Sequence, residues 1–162
     1  MTSTEQLYSI FQKHPIIITD TRKLVKGGIF FALKGGNFNG NLFALAALNE
    51  GAAYAVVDEE INSFDERLLK VDDVLKALQD LATYHRIQTK IPVLAITGSN
   101  GKTTTKELIA AVLSKKYNVN YTQGNLNNHI GVPLTLLSIT AENNFAVVEM
   151  GANHQKEIEL LA

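Results

Sequence analysis

Apolar residues in this chain occur as short continuous runs that alternate with longer stretches where they recur every three or four positions. The runs at 15–19, 29–33, 53–57, 68–71, 93–96 and 145–149 have the length and β-branched content of strands, and the more polar segment 118–122 reads as a further short strand. Val93 to Ile96 is free of polar residues, as expected of a strand buried on both faces of a parallel sheet, and 145–149 is a further apolar strand that ends in a carboxylate, Glu149. Helical spacing predicts helices through Leu7, Ile10 and Phe11, through Leu42, Leu45, Ala46 and Leu48, and through Val74, Leu75, Leu78, Leu81 and Ala82. Asn41 is the expected cap of the second, Gly51 its stop, and Asp72 or Asp73 the cap of the third. A fourth helix starts at Lys102 with Leu108, Ile109, Val112 and Leu113 as its apolar stripe; shorter ones start at Val132 and near His154. Asp20-Thr-Arg22 and Gly151-Ala-Asn153 read as polar turns, and 35–41, built of Gly, Asn and one Phe, as a loop.

Residues 88–92 mark the expected domain boundary, because a long helix must end before Pro92 and a buried strand follows at once. The fold class is α/β: a small mixed α/β domain over 1–88, then, over 89–162, a strand–helix–strand alternation that predicts a parallel sheet, incomplete as given.

The junction at the start of that second domain carries the chemistry. Between the strand at 93–96 and the helix from Lys102 lies Gly98-Ser-Asn-Gly-Lys102-Thr-Thr104. Two glycines leave bare backbone whose N–H groups can converge on an anion, at the positive end of a helix. The pattern is a phosphate-binding loop with unusual glycine spacing, since Ile96 stands where the first glycine of G-x-x-x-x-G-K-[ST] belongs. Lys102 is the candidate catalytic residue, a cation for the β- and γ-phosphates of ATP; the Thr103 hydroxyl is a candidate Mg²⁺ ligand, and Asn100 and Thr104 add polar contacts. Glu149 is the natural second metal contact, because ligand-facing groups in open α/β sheets gather at strand carboxyl ends. A solvated strand-end carboxylate or a capping partner is the alternative. The loop holding Asn125, Asn127, Asn128 and His129 reads equally as turn chemistry or as substrate contact.

Composition narrows the field. Among 162 residues, 46% are hydrophobic and 19% charged, ordinary for a globular chain, and a net charge of -1 gives no electrostatic case for nucleic acid or an anionic membrane. The absence of cysteine excludes disulfides and thiolate chemistry. No stretch approaches membrane-spanning length and no leader pattern is present, so a cytoplasmic location is expected. The four histidines are scattered; His14 and His85 read as surface or helix-end residues.

With these residues in hand, the chain resembles the Mur ligases, the ATP-dependent amino-acid ligases of peptidoglycan assembly. Residues 96–105 are similar to the family's variant loop T-G-x-N-G-K-T, which accounts for the glycine spacing. Gly124-Asn-Leu-Asn-Asn-His-Ile-Gly-Val-Pro-Leu-Thr-Leu-Leu137 and Val148-Glu-Met-Gly-Ala-Asn-His154 are similar to segments of the branch that adds D-alanyl-D-alanine. Asp20-Thr-Arg22, Gly28-Ile-Phe-Phe-Ala-Leu33 and Asn39-Gly-Asn41 resemble the N-terminal domain that holds the UDP end of the muramyl peptide. Asn39 and Asn41 stand where Asp and His are frequent, and Lys156 where glycine is.

The resemblance implies an N-terminal UDP-substrate domain followed by the truncated start of a P-loop ATPase domain. It also implies ATP and Mg²⁺ as cofactors, and UDP-N-acetylmuramoyl-tripeptide and D-alanyl-D-alanine as small-molecule substrates. Thr21, Arg22, Asn39, Gly40, Asn41, Asn125, Asn127 and Asn128 become the expected substrate contacts, Gly98, Ser99, Asn100, Gly101, Lys102, Thr103 and Thr104 the nucleotide loop, and Thr103 and Glu149 the metal contacts. A monomer is expected, and a fragment of well under half a ligase, inactive alone. Two other readings stand beside it: a folylpolyglutamate-type ligase, disfavoured because that family generally begins near its phosphate loop, and a binding module for a UDP-linked ligand without catalysis.

Overall fold

Helix α1 (Thr4–Phe11) begins where the sequence supplies a capping box: the Gln6 N–H donates to Ser3 Oγ and the Ser3 N–H donates to Gln6 Oε1. Its inner face is Leu7 and Phe11. The computed structural model describes residues 1–152 and 154–162, and the chain divides into two compact units, Met1–Leu81 and Ala82–Ala162. The division falls within a helix, ahead of the polar stretch around Gln88. Asn153, part of the last expected turn, lies outside the described residues.

In the first unit, strands β1 (Ile17–Ile18), β2 (Ile29–Phe31), β5 (Tyr54–Val57) and β6 (Leu68–Lys70) form one parallel sheet in the order β1-β2-β5-β6. Ile29 pairs with Ile17 on one side and Tyr54 on the other. Phe30, Ala32, Ala55 and Val57 pack against Ala44, Ala47 and Leu48 of helix α2 (Ala44–Asn49). Between β2 and α2, where a loop was expected, lies an antiparallel hairpin, β3 (Lys34–Gly35) with β4 (Phe38–Asn39). Gly40 follows it against the backbone of Ala32, where an added Cβ would lie 2.5 Å from the Ala32 carbonyl carbon, so only glycine lets the two segments approach.

The chain then makes a 3-10 turn, Gly40–Phe43, capped by Asn39 rather than Asn41. That extra turn shifts the phase of α2, so Leu42 is 77% exposed and Leu45 and Ala46 also face outward, whereas Ala44, Ala47 and Leu48 are buried. Helix α3 (Val74–Thr89) is capped by Asp73, whose Oδ1 accepts the Lys76 N–H at 2.8 Å, and buries Val74, Leu78 and Leu81.

In the second unit, β7 (Val93–Ile96), β8 (Val119–Tyr121) and β9 (Phe145–Glu149) form a parallel sheet in the order β7-β9-β8. The sequential β-strand–helix–strand crossover places β9, the last strand, in the centre. It is buried from Ala146 onward, whereas β7, expected to be buried on both faces, is an edge strand that is only partly buried, with Leu94 38% exposed. Helices α4 (Lys102–Leu113), α5 (Gly131–Leu137) and α6 (Glu157–Leu161) connect and follow the strands. Helix α4 keeps only half of its expected face: Lys106 and Ala110 are buried and Ile109 and Leu113 partly buried, while Leu108 and Val112 are 64% and 72% exposed. Periodicity identified an apolar stripe, but the helix is rotated so that Lys106 and Ala110 lie at the centre of the inner face.

His85 also departs from expectation. It is buried, and its Nε2 lies 2.9 Å from the Ile139 carbonyl. Burial lowers its pKa below 6.5, only partly opposed by that hydrogen bond. The unfolded chain therefore binds the proton more readily, so the stabilisation is fully present above about pH 6.5 and is lost as pH falls toward the folded value. Urea midpoints measured from pH 7.5 to 5.5 should fall, and the slope should flatten in His85→Gln.

Candidate functional site

The phosphate loop takes its shape from three neighbours in sequence. Strand β7 delivers the chain at Ile96, Gly101 adopts φ 75° in the left-handed region, and α4 begins at the next residue. No side chain caps α4, so its first-turn N–H groups keep the positive end of the helix open to an anion. Lys102 folds back across the loop, its Nζ donating to the Gly98 carbonyl at 2.7 Å. Ser99, Asn100, Gly101, Lys102, Thr103, Thr104, Asn127 and Glu149 line one cavity of about 320 Å³, so loop residues expected from sequence meet the strand-end carboxylate.

Glu149 is 1% exposed, and its hydrogen bonds come from separate segments. Its Oε1 accepts from Thr103 Oγ1 at 3.2 Å and from Asn127 Nδ2 at 2.8 Å, and its N–H donates to Thr122 Oγ1 at 2.9 Å. Oε2 is buried with no hydrogen-bond partner. The nearest cation to it is Lys106 Nζ at 3.9 Å, from a side chain that is itself fully buried. Lys106 is a residue that sequence reasoning missed; its place one turn beyond Lys102 was the available signal.

The asparagine loop divides its labour. Asn127 donates to Glu149, and its carbonyl accepts the Gly151 N–H at 2.7 Å, so it joins the loop to the end of β9. Asn128 Oδ1 accepts the N–H groups of Ile130 and Gly131 and closes the start of α5. Asn125 is exposed, its carbonyl accepting the Asn127 N–H. Beside Lys102 a second cavity, about 460 Å³, is lined by Asn127, Asn128, His129, Gly151, His154 and the leucines of α6.

In the first unit, Thr21 and Arg22 line a cavity of about 540 Å³ with Thr19, Asp20, Phe38 and Phe43. Phe38 and Phe43 are stacked, centroids 5.4 Å apart and planes 13° from parallel, yet both are exposed. Their spacing across the 3-10 turn was not readable as a pair from sequence. Arg22 donates through Nε and Nη2 to Asp20, and those hydrogen bonds hold the Asp20 carboxyl at about 2.

Asn39, Gly40 and Asn41 do come together, but Asn41 is 2% exposed and its amide is fully engaged. Its Nδ2 donates to Asn39 Oδ1 and Asp58 Oδ1, and its Oδ1 accepts the Asp58 and Glu59 N–H groups. The Asn41 side chain therefore holds the turn rather than facing a ligand. Burial pushes Asp58 up, but hydrogen bonds from Lys34, Asn41 and the Val74 N–H outweigh it and keep the carboxyl below its ordinary range.

A glycine-rich turn opening into a helix beside a strand-end carboxylate, on a parallel sheet, defines a P-loop unit. Residues 96–162 match the Mur ligase middle domain, and the chain belongs to the Mur ligase family. It is 47% identical over 148 residues to the UDP-N-acetylmuramoyl-tripeptide--D-alanyl-D-alanine ligase of Synechocystis sp., covering 90% of this chain and 33% of that one. It is 49% identical over 142 residues to the ligase of the same name from Escherichia coli, covering 88% and 31%. The fold is similar to that of MurF from Acinetobacter baumannii, with TM-score 0.87, 37% identity, and 98% and 37% of the two chains covered. It is also similar to the MurF ligase of Thermotoga maritima in complex with ADP, with TM-score 0.79, 31% identity, and 90% and 34% covered. The chain thus spans about a third of the length of the curated relatives it matches.

An added Cβ at Gly131 would lie 2.3 Å from the Leu126 backbone, so Gly131→Ala must push the asparagine loop off α5. The expected cost is about 1–3 kcal/mol, read as a lowered urea midpoint.

Proposed function

We propose that this chain supplies the UDP-substrate unit and the first part of the ATP unit of a peptidoglycan ligase. The reaction would join D-alanyl-D-alanine to UDP-N-acetylmuramoyl-tripeptide in the cytoplasm. The observation that carries the reading is the Thr103–Glu149 contact at the mouth of an uncapped, glycine-led helix. It puts a phosphate cradle and an oxygen-rich cation corner in one cavity. The relatives' names supply the substrates, and the ADP complex of the Thermotoga maritima protein supports the nucleotide.

Mg²⁺ fits the residues present. The donors are a hydroxyl and a carboxylate, both hard oxygen ligands, and the buried Glu149 Oε2 has a lone pair that no protein donor uses. Mg²⁺ ordinarily takes few ligands from protein and the rest from phosphate and water. When bound, Mg²⁺ supplies charge neutralisation between phosphate oxygens and an incoming carboxylate.

In this account the loop N–H groups and Lys102 hold the β- and γ-phosphates, Lys102 exchanging its bond to the Gly98 carbonyl for phosphate oxygen. The γ-phosphoryl group passes to the terminal carboxylate of the tripeptide, giving an acyl phosphate and ADP. The amine of D-alanyl-D-alanine then attacks the acyl carbon and phosphate departs. The cavity beside Lys102, walled by Asn128, His129 and His154, is the side from which the acceptor carboxylate approaches. In the first unit, the exposed Phe38–Phe43 stack offers a planar ring a face, with Thr21 and Arg22 beside it. Asn39 and Gly40 belong to this site through the turn, and Asn41 through its support of that turn.

The second reading, a binding module without turnover, is favoured for the chain by itself because it spans about a third of its relatives. Ligation and binding measured on one preparation separate the two: binding of ADP and of UDP-muramyl peptide without product formation is expected, and turnover by residues 1–162 alone would contradict it. Lys102→Ala should weaken ADP binding at least tenfold, about 1.4 kcal/mol, and in a protein of the relatives' length should lower kcat more than about a hundredfold. Glu149→Gln should reduce Mg²⁺ dependence and leave UDP-substrate binding intact. Loss of folding in Glu149→Gln would instead point to a purely structural carboxylate.

A further inference from the structure

We propose that Lys106 is a positioning residue for the cation corner, fixing Glu149 and the asparagine loop so that magnesium and nucleotide bind cooperatively; this rests on the nucleotide-binding reading of the phosphate loop. Lysine is seldom fully buried unless its charge is matched. Here the side chain has no exposed surface, although it sits on the same helix as the phosphate-facing Lys102. Its ammonium reaches the Gly124 carbonyl at 3.3 Å, Glu107 Oε1 at 3.1 Å and Glu149 Oε2 at 3.9 Å, and it lies 5.9 Å from the centre of the Tyr121 ring. One cation therefore ties α4 to the start of the asparagine loop and to the carboxylate at the end of β9.

The arrangement is asymmetric in a way that bears on the metal. Both neutral donors to Glu149, Thr103 and Asn127, use Oε1, and the only charge facing Oε2 among the described ion pairs is Lys106. Lys106 makes its hydrogen bond to Gly124 instead, so it orients Oε2 by charge without occupying its lone pair. Replacing the ammonium with a neutral group leaves a buried carboxylate held on one oxygen only and releases the carbonyl that anchors the loop carrying Asn127. Lys106 touches neither phosphate nor metal in this account, which separates it from Lys102.

The test measures binding of a fluorescent ADP analogue to the 162-residue chain, once with EDTA and once with MgCl2. Wild type should bind at least tenfold more tightly with Mg²⁺. Lys106→Met, which keeps the stem, and Lys106→Gln, which also keeps a donor for Gly124, should each reduce that enhancement to less than threefold while metal-free affinity stays within threefold of wild type. Lys106→Gln combined with Glu149→Gln should be no worse than Glu149→Gln alone, because both act on the same contact. Full retention of the Mg²⁺ enhancement would overturn the proposal, as would an equal loss of metal-free affinity, which would make Lys106 a support of loop shape alone. If both variants lose their cooperative melting transition, Lys106 belongs to the fold and the proposal fails. Absence of any Mg²⁺ effect in wild type would overturn the underlying reading of the loop, and is distinguished by appearing before any substitution is made.

Discussion

A carboxylate at the end of a buried central strand must be matched by donors and charge, and at Glu149 that requirement organises the second unit. Strand β9 lies between β7 and β8, so its last residue emerges where the phosphate loop, the β8 end and the asparagine loop converge. Thr103, Asn127 and Lys106 each contribute one contact to the carboxylate, while Thr122 Oγ1 accepts the Glu149 backbone N–H. Desolvating the carboxylate without the first three would cost several kcal/mol. The positions of α4 and of the loop after β8 are therefore coupled to a single side chain through Thr103, Lys106 and Asn127.

The first unit uses the same device with an amide. Asn41 is buried where the 3-10 turn meets the end of β5, and its two N–H bonds and two accepted N–H groups satisfy the whole side chain. Such a saturated amide fixes the hairpin and turn that present Phe38 and Phe43. In both units a buried polar residue sets the backbone, and the residues aimed outward from that backbone form the candidate site.

Much of this was legible from sequence because it depends on local order. The phosphate loop is recognisable from a strand, two glycines and a helix start, and Glu149 from the strand that ends in it. The strands appeared where the apolar runs lay, slightly shorter than the runs. What escaped depended on partners distant in sequence. Asn41 was read as a helix cap because its bonds to residues 58 and 59 are invisible along the chain. Lys106 is not singled out by the sequence, because the Gly124 carbonyl and the Glu149 carboxylate that meet it are distant along the chain. His85 reads from sequence as a surface or helix-end residue because the Ile139 carbonyl it meets is 54 positions away. Helix α4 shows an apolar stripe, yet periodicity fixes the inner face only to within part of a turn, and Ile109 and Leu113 of that stripe flank a buried centre of Lys106 and Ala110.

The cavity at the phosphate loop holds a single carboxylate. A dedicated cation cage supplies most ligands from the protein, whereas here Glu149 stands with the hydroxyl-bearing Ser99, Thr103 and Thr104, and its carboxylate is already shared with Asn127 and faced by Lys106. If the proposed cation site is correct, it would have little affinity for a free cation, and phosphate oxygens would complete the ligand set and bring the negative charge that offsets Lys102 and Lys106. On the nucleotide-binding reading, metal and nucleotide therefore enter as one complex, and the buried lysine, by limiting the net negative charge around Glu149, keeps the corner from filling before the phosphate arrives.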